Sequence, residues 1–85
     1  MKFLIDVVVR RKKGVLDPEG NTISEALKRL GYESIKKVDT AKLFSIEIES
    51  ESPADAKKIA LEIADKVLSN PVIENFSILN IEEAE

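Results

Sequence analysis

Apolar and polar residues alternate from Lys2 to Arg10. Phe3, Ile5, Val7 and Val9 fall on one face, and Leu4, Asp6, Val8 and Arg10 on the other. A period of two with this much β-branching predicts a strand. The basic run Arg10-Arg11-Lys12-Lys13 and Gly14 end it. Asp17-Pro18-Glu19-Gly20 then fits a type I turn position by position: Asp first, Pro fixing φ second, Gly fourth. Thr22-Ile23-Ser24-Glu25 reads as a capping box. Ile23, Ala26, Leu27 and Leu30 make one helical stripe, and Gly31 supplies a stop. The pattern predicts a first helix from about Ile23 to Leu30, with room for an extra turn at Pro18.

Ile35 to Val38 is a short strand candidate, and Asp39-Thr40-Ala41 is a hairpin-length break. Lys42 to Ser50 alternates again, with Phe44, Ile46 and Ile48 on one face. Ser52-Pro53-Ala54-Asp55 marks a helix start: Ser caps, Pro suits the first helical position, and Asp places charge near free N–H groups. Ala56, Ile59, Ala60, Ile63 and Val67 form its core stripe, and Asn70-Pro71 stops it. Val72 to Ile81 reads as the last strand, followed by an acidic, frayed tail, Glu82 to Glu85.

The predicted order is β-α-β-β-α-β, the ferredoxin-like order, in a single α+β domain spanning residues 1–85. Right-handed crossovers put both helices on one face of an antiparallel sheet. The second face is then too apolar for water. Leu4, Val8, Leu43, Leu79 and Ile81, with Ile73, fall there, and the first five are the candidate interface of a homodimer or dimer of dimers.

Composition narrows the chemistry. The 85 residues are 44% hydrophobic and 34% charged, with neither Cys nor His. Thiol nucleophiles, disulfides and zinc thiolates are excluded, and so is the usual general base near neutral pH. The glycines form no phosphate loop. No catalytic or metal-binding residues are expected. No apolar run reaches the length of a membrane span, and the N-terminus meets a charge too early for a signal peptide, so a cytoplasmic location is expected. Net charge is −3, but unevenly placed. Residues 1–42 hold ten Lys/Arg against six Asp/Glu, and residues 43–85 hold three against ten. The basic run could touch phosphate, yet only four aromatics exist and three have core spacing, which argues against nucleic acid.

Val15-Leu16-Asp17-Pro18-Glu19-Gly20, with Ile23 and Ala26-Leu27, resembles the N-terminal signature of the PurS family. Val67 to Phe76, with Asn70-Pro71-Val72-Ile73-Glu74 at its centre, is similar to a second segment of that family. The two motifs stand in register over essentially the whole chain. One departure is visible: where the family usually carries Arg-x-Gly-Lys between the middle strands, this chain has Asp39-Thr40-Ala41-Lys42, so only Lys42 matches. The resemblance implies the small subunit of phosphoribosylformylglycinamidine (FGAM) synthase, a glutamine-hydrolysing ligase of purine biosynthesis. It implies a subunit without catalytic residues that bridges the glutaminase, PurQ, and the synthetase, PurL, and helps enclose the ammonia path. ATP and Mg²⁺ are expected on the synthetase, with no cofactor on this chain. The two corners become candidate partner-binding sites: Asp17, Pro18, Glu19 and Gly20, then Asn70, Pro71 and Glu74, with Lys42. The alternative is a free-standing ferredoxin-like sensor that binds a small molecule at a dimer interface.

Overall fold

The structure, a computed structural model, describes residues 1–84. Its elements are β1 (Lys2–Arg11), α1 (Pro18–Arg29), β2 (Ala41–Glu49), α2 (Pro53–Ile63) continued by a π-helical turn (Ala64–Leu68), and β3 (Glu74–Ala84). The strands form one antiparallel sheet in the order β2-β1-β3. This is the order of a ferredoxin-like sheet whose outer strand beside β2 is absent. The expected strand at Ile35–Val38 does not form. Its two apolar residues flank exposed lysines, and the Ile35 N–H donates to the Tyr32 carbonyl in a turn rather than to a strand. The expected break at residues 39–41 is therefore not a hairpin: Asp39 and Thr40 lead into β2, which already begins at Ala41.

The core lies between the sheet and α2. Phe3, Ile5, Val7 and Val9 are buried beneath Ala56, Ala60 and Ala64, three alanines on one helical stripe. Small side chains there bring the helix close to the sheet. Ser52 caps α2 as expected, accepting from the Asp55 N–H at 3.2 Å, with Pro53 in the first turn. The C-terminal turn departs from the expected stripe. The Ser69 N–H donates to the Ala64 carbonyl, five residues back, at 3.0 Å. That wider turn shifts the helical phase, so Leu68 packs on the core while Val67 is exposed. Among the described residues, no helix is long and apolar enough to cross a membrane.

Helix α1 begins at Pro18, a turn earlier than the stripe implied. Asp17 is its cap, and the Asp-Pro-Glu-Gly sequence is its first turn. Thr22 does not cap: its hydroxyl donates to the Pro18 carbonyl at 3.0 Å. Gly31, at φ 97°, ends the helix, with the Tyr32 N–H reaching the Leu27 carbonyl and the Gly31 N–H reaching Lys28. α1 lies largely off the sheet, so the helical side chains of the core come from α2 and its π-helical turn rather than from both helices as expected, and Ile23 and Leu30 remain exposed. The molecule is consequently long and thin, 51 × 28 × 14 Å. Its radius of gyration is 16.4 Å, where about 12 Å is usual for this length.

The second face of the sheet is less apolar than the alternation suggested. Leu4, Val8 and Leu43 do lie there, but Asp6 stands between Leu4 and Val8 and accepts from the Ser45 hydroxyl at 2.6 Å. Val8 is itself buried. Ile81 pairs with Ile5 and packs into the core, because β3 carries a bulge where Asp6 faces Asn80 and Val7 faces Ile78. Leu79 is the extra residue, and its side chain is exposed. The acidic end is not frayed as expected: β3 continues through Glu82 and Glu83 to Ala84, and Glu85 lies outside the described residues.

Candidate partner-binding site

The two corners read from the sequence meet at one end of the sheet. The first is fixed by Asp17. Its carboxylate accepts from the Gly20 N–H at 3.0 Å, the Thr40 N–H at 2.7 Å and the Thr40 hydroxyl at 2.9 Å. Arg11 Nη1 lies 3.5 Å from the same carboxylate and donates to Thr40 Oγ1 at 3.1 Å. The Thr40 N–H is the largest influence on Asp17, followed by the Gly20 N–H. Together with the Thr40 hydroxyl and Arg11, they outweigh burial and hold its pKa at about 2, down from 3.8. Asp17 thus works as an ionised clasp joining β1, α1 and the approach to β2. Gly20 is required by that clasp. A Cβ there would collide with the Val38 carbonyl oxygen and with the Asp17 carboxylate.

The second corner is knit by Asn70. Its side-chain oxygen accepts from the Val72 N–H at 3.1 Å, and its carbonyl accepts from the N–H groups of Ile73 and Glu74. Pro71 occupies the second place of this turn, where its fixed φ fits. Glu74 returns the contact, accepting from the Asn70 N–H at 2.7 Å. The Ile73 carbonyl accepts from the Lys12 N–H at 2.7 Å, which ties this corner to the end of β1.

Arg11 stands between the corners. A cavity of about 340 Å³ is lined by Glu19 from α1, Lys42 from β2 and Glu74 from β3, around Arg11 and Thr40. Three of the eight expected partner-binding residues therefore share one concave surface. Asp17 and Gly20 sit behind it as scaffold, while Pro18, Asn70 and Pro71 are exposed on the turns beside it. Arg11 and Thr40 were missed by sequence reasoning. The contact between Thr40 and Asp17 spans 23 residues, and no local pattern announces it.

The matching family model is PurS: Phosphoribosylformylglycinamidine (FGAM) synthase, over residues 4–82. The chain belongs to the PurS family. It is 43% identical over 77 residues to the PurS subunit of Archaeoglobus fulgidus, covering 91% of this chain and 96% of that one. The crystal structure of Methanocaldococcus jannaschii PurS is 40% identical, covers 98% of this chain and 99% of that one, and superposes with a TM-score of 0.83. The solved structure of PurLQS from Thermotoga maritima contains a chain 28% identical, with a TM-score of 0.84 over 93% of this chain and 96% of that one. PurS membership places both corners in family context: each motif that suggested the family is a hydrogen-bonded turn at the same end of the sheet.

Proposed function

We propose that the chain is the non-catalytic small subunit of FGAM synthase in de novo purine biosynthesis, bridging a glutaminase and a synthetase subunit. The observation that carries this reading is the match to the PurS family over nearly the whole chain. The complex converts formylglycinamide ribonucleotide, glutamine, ATP and water to FGAM, glutamate, ADP and phosphate. In this reading ammonia forms on PurQ, and ATP with Mg²⁺ acts on PurL. The chain contributes surface rather than chemistry. It has no His or Cys, and Asp17 is an ionised acceptor engaged on several sides. The Glu19–Lys42–Glu74 surface is the docking site, rigid because both corners are fixed before binding. The complex works in the cytoplasm, and this subunit helps enclose the ammonia path.

The subunit acts as a homodimer or dimer of dimers. A compact chain of this mass exposes about 5,000 Å², and this one exposes 6232 Å². The excess, on the order of 1,000 Å², is the size of one partner's share of a standard interface. Exposed Leu16, Leu30, Tyr32, Val67 and Val72 supply apolar area outside the open sheet face.

Reconstitution tests the function. The isolated chain should show no glutaminase, ATPase or amidation activity, and purified PurL with PurQ should need it for glutamine-dependent FGAM formation. Full activity without the chain, or turnover by the chain alone, refutes the assignment.

A further inference from the structure

In a straight strand the cations of Arg10-Arg11-Lys12-Lys13 would divide between two faces. The chain prevents this. β1 stops at Arg11, and the backbone turns at Lys13 and Gly14, where φ is 87°. The Val15 N–H closes the turn on the Lys12 carbonyl at 3.1 Å. All four cations, joined by Lys37 from the segment before β2, then line one cavity of about 370 Å³.

Two of the five charges are neutralised. Arg11 lies 3.5 Å from Asp17, and Lys37 lies 3.5 Å from Asp39. Arg10, Lys12 and Lys13 have no acidic partner among the described residues. The N–H groups of Lys13 and Gly14 likewise donate to no group among the described residues. Unused amides in a turn with a positive-φ glycine form a concavity suited to anions. An arginine adds a planar fork for oxyanions, and the lysines add mobile point charges.

We propose that this cavity binds the phosphate of a small phosphorylated molecule. Its volume stands near the lower end of ligand pockets, roughly 300–1,000 Å³, with room for a phosphate and an attached sugar. No aromatic side chain lines it, so it offers no stacking platform for the bases of a single strand. It is separate from the Glu19–Lys42–Glu74 surface, although Arg11 and Thr40 form the wall between them.

The test is an amide-resolved NMR titration of the full chain, at constant ionic strength, with inorganic phosphate, ribose 5-phosphate and ribose. Saturable shifts are expected at Lys13 and Gly14 with both phosphates, tighter for ribose 5-phosphate, and none with ribose. Arg10→Gln combined with Lys13→Gln should weaken binding at least roughly tenfold, about one charge-assisted hydrogen bond's worth. Lys57→Gln on α2 should bind as the parent does. The spectrum of each variant reports its fold directly. Shifts that do not saturate, that are equal with ribose, or that survive the double substitution overturn the proposal. So does an oligonucleotide that binds more tightly than ribose 5-phosphate with a steep salt dependence.

Discussion

Gly20→Ala separates the structure from propensity most sharply. Gly20 lies in the first turn of α1, and in an ordinary helix Gly→Ala stabilises by about 0.8–1 kcal/mol. Here the added methyl meets the Val38 carbonyl oxygen, and it lies 2.8 Å from Asp17 Oδ2 and 3.0 Å from Asp17 Cγ. The carbonyl belongs to backbone just before the Thr40 clasp, so it cannot rotate away as a side chain would. Overpacking of this kind costs roughly 1–3 kcal/mol, and a backbone obstacle places it near the top of that range. After the propensity gain is subtracted, a net loss of about 2 kcal/mol remains. For a domain this size, that lowers Tm by roughly 8–16 °C. Thermal unfolding followed by circular dichroism, at one fixed protein concentration, measures it. Asn21→Ala, exposed in the same turn, is the control and should be neutral or slightly stabilising. A Gly20→Ala protein as stable as the parent, or more so, refutes the close approach of α1 to Val38.

Because the pKa of Asp17 is lowered from 3.8 to about 2 on folding, its contribution is complete above the unfolded value and fades as pH falls between those two values. Tm plotted from pH 5 to pH 2 should fall less steeply for Asp17→Asn than for the parent, and parallel curves refute the clasp. Glu19→Lys should leave stability within about 0.5 kcal/mol, since the residue is exposed. In the three-subunit assay it should still raise the half-saturating concentration; an unchanged value removes Glu19 from the docking surface. Light scattering at micromolar concentration should give the mass of a dimer or tetramer, and a monomer refutes the self-association argued from shape.

The sequence made legible what depends on neighbours a few residues apart. Ser52-Pro53 started α2 where its spacing said, Gly31 stopped α1, and alternation placed Phe3, Ile5, Val7 and Val9 in the core. Failures came where one residue changes the phase of a periodic element. The π-helical turn exchanged Val67 for Leu68, and the bulge at Leu79 moved Ile81 across the sheet. The start of α1 was obscured because Asp-Pro-x-Gly serves equally as a turn or as a cap with the first helical residues. The corners were legible as motifs. Their meeting was not, because Arg11, Asp17 and Thr40 join only through tertiary contacts.

The bulge at Leu79 also bears on how relatives should be aligned. The pattern Phe76-Ser77-Ile78, then Asn80-Ile81-Glu82, alternates correctly once Leu79 is skipped, and the sheet performs that skip in space. A homologue one residue shorter at this point would keep the same buried set, with the gap falling opposite the junction of Asp6 and Val7. An alignment that instead spreads the difference over the end of the strand would match core isoleucines to solvent-facing acids. A single-residue indel here is nearly silent for the fold, while the same indel two positions into β1, the central strand, would invert every side chain beyond it.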